Sequence, residues 1–205
     1  MNPDTLDFYE IAKIDNQAPN FDLPYYDPSN DSDGQINLKD LHGKWCVLFF
    51  YPADFTFVCP TELKDMAEAK GHFSEMGVEV LACSTDTIFS HRAWTKHETL
   101  MKNFPYKMLA DHSLSTADAY NLLDDETGIA GRWTYIIDPE WVIRWIEITS
   151  GALGRSSDEL IRKIKALQYM AANPGQACPA KWVLWDKTLT PNINLAWEVG
   201  EELKK

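Results

Sequence analysis

Several features are scarce in this 205-residue sequence, and each shortage excludes a class of protein. Lys and Arg number 19 against 31 Asp and Glu, for a net charge of −12. This argues against a nucleic-acid partner, because phosphate binding needs clustered basic residues. No apolar run approaches the roughly 18 residues of a membrane span, so no membrane partner is predicted. The chain does not start with a basic segment followed by an apolar one, so we expect no signal peptide and a cytoplasmic location.

Cysteine is also sparse, with four residues at positions 46, 59, 83 and 178. No two of them have the spacing of a zinc knuckle or of a thioredoxin-type redox pair. In a cytosolic chain, such cysteines are more often catalytic, buried or metal-binding than part of a disulfide framework. The five histidines show no ligand spacing with a cysteine, so we predict no metal site and no cofactor.

The sequence does contain alternating strand and helix patterns, which favour an α/β layered fold. In chain order the patterns predict strand 45–51, helix 61–76, strand 78–83, helix 90–98, strand 107–110 and helix 115–121. Two further strands, 133–137 and 142–148, flank a turn and predict a hairpin, so the sheet should be mixed. A long helix then ends before Pro174. We therefore predict one domain over 1–173 and a C-terminal arm over 174–205.

Cys59 lies where the loop after strand 45–51 enters the next helix. A thiol at a helix N-terminus faces unpaired N–H groups and the positive end of the helix dipole, which favour the nucleophilic thiolate. Thr56 could hydrogen-bond the sulfur or a bound substrate oxygen, and Pro52, which has no N–H, could shield the sulfur from water. On position alone, a buried and inert cysteine is an equally good interpretation.

The pattern Pro52-x-x-x-Thr56-x-x-Cys59 resembles the active-site motif of the peroxiredoxins, and residues 49–63 resemble its typical two-cysteine branch. Further similar blocks lie at 84–94, 132–139 and 174–182. Within the branch, the sequence is most similar to the bacterial alkyl hydroperoxide reductase C group. The resemblance spans roughly residues 16–182.

This resemblance implies a thioredoxin-like α/β fold, in which helices flank a mixed sheet that has an N-terminal strand extension and a C-terminal arm. It implies that Cys59 is the peroxidatic cysteine, which attacks a peroxide and becomes a sulfenic acid. Thr56 and Arg132 would hold the peroxide. Glu62 and Arg155 would orient Arg132.

The resemblance also implies that Cys178 of a partner subunit is the resolving cysteine, which forms an intersubunit disulfide with Cys59. Such a bond needs Cα atoms within about 7 Å, which a thiol on a mobile arm can reach. Cys46 and Cys83 lie within strand patterns and are predicted to be buried and inert. The implied assembly is a homodimer that forms a decamer, with ring contacts near the active-site loop and residues 84–90.

The predicted activity is reduction of hydrogen peroxide and small alkyl hydroperoxides, with thioredoxin or a flavoprotein disulfide reductase as the reductant. Two alternatives are a ring-forming chaperone or scaffold, and a thioredoxin-type disulfide exchange protein, which would need the missing cysteine pair. Easily overoxidised peroxiredoxins share a Gly-Gly-Leu-Gly insertion and a C-terminal Tyr-Phe helix. This chain has neither, so we expect it to resist overoxidation.

Overall fold

The structure, a computed structural model, describes residues 12–204. The strands are β1 Asp22–Asp27, β2 Ser32–Asn37, β3 Trp45–Phe50, β4 Val78–Ser84, β5 Lys107–Ala110, β6 Leu123–Asp124, β7 Ile129–Ala130, β8 Arg132–Ile137 and β9 Ile143–Thr149. The α-helices are α1 Cys59–Glu68, α2 Lys70–Glu75, α3 Ile88–His97, α4 Ser115–Ala119, α5 Ser157–Ala172 and α6 Val199–Glu202. None of these helices is long and apolar enough to cross a membrane. The chain forms two compact units, divided between Ser156 and Ser157.

The first unit is built on a seven-stranded sheet in the order β2-β1-β5-β4-β3-β8-β9. Strands β3, β4 and β5 are parallel, whereas the remaining pairs are antiparallel. Strand β3 lies inside the sheet, and its Val47 and Leu48 are fully buried, as expected for a continuous apolar run. The predicted mixed α/β sheet is confirmed.

Two predicted features at the ends of the sheet are also confirmed. Strands β1 and β2 form a hairpin that extends the sheet beyond β5, which is the predicted N-terminal extension. Strands β8 and β9 form the predicted hairpin at the other edge, with an irregularity between Ile136 and Ile137.

The single helix predicted over 61–76 is wrong in two respects. It is interrupted at Ala69, where ψ is 1°, far from the helical value of about −42°. Gly71, which has a low helix propensity, follows shortly after the break. The first helix also begins earlier than predicted, so that Cys59 is the first residue of α1.

The second unit contains α5, α6 and the irregular segment between them. Trp182 is 2% exposed, and its ring lies 5.0 Å from that of Tyr169. Its indole N–H donates to the carbonyl of Asp186 at 3.1 Å. The unit thus combines α5 with residues that the sequence assigns to an arm, and the boundary after residue 173 stays a prediction.

Candidate active site

The first element of the site is the loop that joins β3 to α1. Cys59 opens α1, with Pro60 at the next position, and no side chain caps this end of the helix. A proline is well accommodated there because the first N–H groups of a helix have no partner within the helix. The Cys59 side chain therefore lies at the positive end of α1, and the residue is 1% exposed.

Arg132 reaches this cysteine from the neighbouring strand. Strand β8 runs antiparallel to β3 with Thr134 opposite Phe49, which puts the start of β8 beside the loop that leaves β3. From there Arg132 Nη1 donates to Cys59 Sγ at 3.6 Å, and Nη2 donates to the Gly151 carbonyl at 2.9 Å. The sheet register therefore brings these two residues together across 73 positions of sequence.

Glu62, one turn after Cys59, joins Arg132 to Arg155. Its carboxylate accepts hydrogen bonds from Arg132 Nη1 and from three groups of Arg155: the backbone N–H at 2.8 Å, Nε at 2.9 Å and Nη2 at 3.1 Å. Arg155 also donates to the Trp133 carbonyl at 2.8 Å and lies over the Phe49 ring at 3.5 Å. The three charged side chains are at most 3% exposed, so the cluster is rigidly held.

The charge of this cluster favours a thiolate. Two guanidinium groups and one carboxylate leave a formal net charge of +1 beside Cys59. Burial lowers the pKa of Arg155, while its bonds to Glu62 oppose that effect, and arginine stays protonated under such conditions. A negative sulfur would bring the local charge to zero, and opposite charges at this distance stabilise each other.

Arg132 Nε is one of two buried side-chain donors or acceptors without a hydrogen-bond partner in the described residues. Buried polar groups of this kind are rare in native proteins. The guanidinium that contacts Cys59 through Nη1 therefore keeps one N–H that no described residue accepts.

Thr56 and Pro52 lie on the same loop as Cys59. The Thr56 hydroxyl donates to the Ala53 carbonyl at 2.7 Å and not to the sulfur, so its free lone pairs can only accept a hydrogen bond from a ligand. Pro52 lies two residues after the end of β3 and is partly buried. Its shielding of the sulfur stays a prediction.

The other three cysteines have different surroundings. Cys46 and Cys83 are fully buried in β3 and β4, as the sequence predicts, and burial raises the pKa of both thiols. Cys178 belongs to the second unit and is partly exposed; its Sγ lies 3.9 Å from the Ala166 carbonyl, and burial raises its pKa. All four are free thiols. Within residues 12–204, no group of His, Cys, Asp and Glu is arranged to hold a metal ion.

Sequence reasoning missed a contact between two ionisable residues, Asp54 in this loop and His91 in α3. Each lies inside a block that carries the family resemblance, yet 37 positions separate them. Only the fold brings the imidazole of His91 to the carboxylate of Asp54, with 2.8 Å between Nδ1 and Oδ2.

Cys59 lies at a helix N-terminus and contacts a buried arginine. Together with the mixed sheet, this arrangement is typical of a thiol-dependent oxidoreductase. Residues 14–146 match the AhpC/TSA family. The chain is 46% identical to alkyl hydroperoxide reductase C of Bacillus subtilis over 164 residues, which cover 80% of this chain and 88% of the relative. It is 41% identical to that of Staphylococcus aureus over 189 residues, covering 92% of this chain and all of the relative.

Solved structures agree with these sequence matches. The reduced 2-Cys peroxiredoxin of Plasmodium vivax superposes with a TM-score of 0.86 at 32% identity, covering 94% of this chain and 98% of that one. AhpC of Enterococcus faecalis superposes with a TM-score of 0.78 at 36% identity, covering 82% and 100%. The chain therefore belongs to the AhpC/TSA family of peroxiredoxins, which are thiol-dependent peroxidases.

Proposed function

We propose that the protein reduces hydrogen peroxide and small alkyl hydroperoxides, with Cys59 as the attacking thiolate. The observation that carries this proposal is the Arg132 guanidinium, which contacts Sγ with Nη1 and keeps a buried, unpaired Nε. A group that touches the nucleophile and has a free donor can stabilise both the thiolate and the peroxide oxygen that departs when the O–O bond breaks.

The chemical step transfers one oxygen to sulfur. The Cys59 thiolate attacks the terminal peroxide oxygen, so an S–O bond forms, the O–O bond breaks, and the electron pair departs on the other oxygen. That oxygen takes a proton from water and leaves as water or an alcohol, while Cys59 becomes a sulfenic acid. Thr56 would accept a hydrogen bond from the peroxide O–H, and Arg132 would donate to the departing oxygen.

The second step is condensation of the sulfenic acid with Cys178 of a partner subunit, which forms a disulfide and releases water. The partial exposure of Cys178 supports this role, because the thiol is accessible to another chain. Burial raises the pKa of Cys178, which favours its thiol form and so leaves the first attack on peroxide to Cys59. An external dithiol, thioredoxin or a flavoprotein disulfide reductase, would then reduce the disulfide.

The working assembly in this proposal is a ring of five homodimers. Exposed aromatic side chains near the predicted ring contacts support it: Phe55 is 59% exposed, Phe57 92% and Phe89 77%. Large apolar side chains grouped at a surface mark interaction sites. The cytoplasmic location stays a prediction.

A direct test measures oxidation of the fully reduced protein by one equivalent of hydrogen peroxide or of tert-butyl hydroperoxide. Mass spectrometry with a sulfenic-acid trap should find the label on Cys59. Cys59→Ser should abolish peroxide consumption, whereas Cys83→Ala, at an equally buried cysteine, should retain it. Labelling of Cys46 or Cys83 instead would contradict the proposal.

A further inference from the structure

Arg132 is preceded by Gly131 and followed by Trp133, and the proposed mechanism uses neither neighbour. Successive side chains of a strand point to opposite faces of the sheet. Because Arg132 faces Cys59, Trp133 points to the other face, where it packs against the hydrophobic core. The two residues thus flank the guanidinium that contacts the sulfur without sharing its side of the sheet.

Gly131 has no room for a side chain. A Cβ atom at this position would lie 2.7 Å from Trp133 Nε1, 2.8 Å from Trp133 Cδ1 and 3.2 Å from the Leu122 carbonyl oxygen. Non-bonded carbon atoms pack best at about 3.5–4.0 Å, so even one methyl group would overlap the indole. The φ of Gly131 is not positive, so the close approach of the indole, and not an unusual backbone conformation, requires a glycine here.

The Trp133 indole also packs on a firmly held ring. It stacks on Tyr135 with 6.1 Å between the ring centroids and 24° between the ring planes. Tyr135 is 0% exposed, its hydroxyl donates to the Tyr120 carbonyl, and its ring meets that of Tyr120 edge-on at 4.9 Å. A side chain added at position 131 would therefore displace the backbone as well as the indole.

Hydrogen bonds fix the backbone on both sides of Arg132. The Gly131 N–H donates to the Leu122 carbonyl at 2.7 Å, and the Trp133 N–H donates to the Gly131 carbonyl at 3.1 Å. The second bond closes a three-residue turn with Arg132 at its centre. The Trp133 carbonyl in turn accepts from Arg155 Nη1 at 2.8 Å. This turn determines the point from which the Arg132 side chain extends.

The acceptor for Gly131 belongs to a well-packed element. Strands β6 and β7 form a short antiparallel hairpin, and the bond from Gly131 to Leu122 continues its ladder by one residue. Leu122 is 4% exposed, and its N–H donates to the Ala117 carbonyl of α4 at 3.0 Å. The hairpin is therefore a fixed support for the start of β8.

A small displacement of this turn matters because the contacts of Arg132 are short. Its Nη1 lies 3.6 Å from Cys59 Sγ, and its Nη2 lies 2.9 Å from the Gly151 carbonyl oxygen. Relieving the overlap of a Cβ at position 131 needs a movement of about 0.8 Å. A misplacement of about 1 Å can slow an enzymatic reaction by roughly a hundredfold.

We propose that Gly131 and Trp133 are positioning residues for the peroxide site. The absence of a side chain at position 131 lets the indole pack on the backbone, and this packing fixes the turn from which Arg132 reaches Cys59. The inference rests on the proposed function, because Arg132 has a departing oxygen to stabilise only if Cys59 reacts with peroxide.

The test measures two second-order rates for Cys59 in the full-length reduced protein, one with hydrogen peroxide and one with iodoacetamide. Mass spectrometry of the Cys59 peptide follows both reactions. Both reagents react with the same thiolate, so the ratio of the peroxide rate to the iodoacetamide rate at one pH cancels the ionised fraction. Only the peroxide needs a donor for its departing oxygen. The ratio therefore reports the position of the Arg132 guanidinium, which a mere loss of stability would leave unchanged.

Gly131→Ala should slow oxidation by peroxide by roughly tenfold to a hundredfold and lower the ratio by roughly tenfold. Trp133→Ala keeps the hydrogen bonds of the turn but loses its packing, so oxidation should slow by roughly threefold to tenfold. In the double variant the added methyl group has no indole to meet. Introducing Gly131→Ala into Trp133→Ala should therefore slow oxidation by less than about threefold. An equal effect of Gly131→Ala in both backgrounds would overturn the proposal.

Gly154 supplies the matched control. It lies beside the buried charged cluster, but a Cβ there would be 3.5 Å from Val58 Cγ1 and 3.6 Å from Glu62 Cγ, which are ordinary contact distances. Gly154→Ala should therefore oxidise within about threefold of the wild-type rate. Equal slowing in this control would show that any methyl group added near the cluster disturbs the site, and it would overturn the inference.

Trp133→Ala carries the test if Gly131→Ala does not fold, and a ratio of the two rates equal to that of wild type would then overturn the inference. A folded Gly131→Ala that reacts with peroxide at the wild-type rate would overturn this inference alone. A wild-type protein that does not consume peroxide would overturn the proposed function itself.

Discussion

Replacing Glu62 with Gln tests whether the buried carboxylate holds Arg132 at the sulfur. The substitution keeps the size of the side chain and removes its charge. Glu62 accepts four hydrogen bonds from Arg132 and Arg155. A glutamine amide has one oxygen in place of two, and its N–H₂ group would face guanidinium N–H groups.

The expected loss of stability can be estimated from the contacts that each arginine retains in the variant. Arg155 retains the Trp133 carbonyl and the Phe49 ring, whereas Arg132 retains only Gly151 and Cys59 among its described partners. Removing one partner of a buried ion pair costs about 3–5 kcal/mol. We take the lower figure because Arg155 keeps its other bonds. The free energy of unfolding should therefore fall by about 3 kcal/mol, which corresponds to a fall of about 6–12 °C in melting temperature.

The same variant should slow Cys59 oxidation by roughly tenfold to a hundredfold, because Arg132 loses its strongest partner. The extra positive charge left by the substitution favours the thiolate, so slower oxidation has to come from a displaced guanidinium. Melting is measured by calorimetry on reduced protein at fixed concentration, and oxidation by competition with a haem peroxidase for limiting hydrogen peroxide.

Glu159→Gln is the matched control for this prediction. Glu159 also binds an arginine with both oxygens, through Arg162 Nε and Nη2 at 2.8 Å each, but its side chain is 49% exposed. Exposed pairs contribute about 0–1 kcal/mol, so this variant should behave like wild type. If Glu62→Gln kept both the melting temperature and the oxidation rate of wild type, the positioning role of Glu62 would be refuted.

The remaining predictions concern the other residues of the proposed cycle. Thr56→Val should lose most of the peroxidase rate with little change in melting temperature, whereas Thr56→Ser should retain activity; equal rates in both variants would contradict the role of the hydroxyl. Cys178→Ser should abolish the covalent dimer on non-reducing gels while the first oxidation of Cys59 survives, and a persisting dimer would point to Cys46 or Cys83. A charged residue at Ser90 should split the ring into dimers on sedimentation, unless the ring contact lies elsewhere. During turnover with rising peroxide and an active reductant, mass spectrometry should find little Cys59 sulfinate. Its accumulation at low micromolar peroxide, on the order of sensitive family members, would contradict the predicted resistance to overoxidation.

Much of the fold could be predicted from the sequence because its strands are marked by local patterns. The apolar run of β3 and the turn between β8 and β9 are both short-range signals, and they predicted strands within one or two residues of those observed. The start of α1 was harder, because Pro60 suits both a loop and the first turn of a helix. The break at Ala69 also has no strong local signal, since alanine itself favours a helix.

The contacts of the site depend on tertiary structure and could not be derived from spacing. The resemblance suggested Arg132, Glu62 and Arg155 as a group, but the register between β3 and β8 determines that Arg132 reaches the sulfur. Asp54 and His91 were missed because a lone aspartate or a lone histidine can serve many purposes in a protein, and no sequence pattern links two residues that lie 37 positions apart. Their burial and their contact with each other become visible only when α3 packs beside the loop.

The buried cluster also sets a limit on how far α1 can open in the proposed cycle. Cys59 is 1% exposed, so it has to leave its place before it can meet a thiol of another chain, and local opening is easiest where few contacts hold a segment. Thr61 is held in the first turn by bonds to the Val58 carbonyl. Glu62, by contrast, is fixed by two arginines, so opening that stops before Glu62 frees Cys59 without exposing three buried charges. In the proposed cycle, the carboxylate that orients Arg132 for the first step would thus keep the second step confined to one turn of helix.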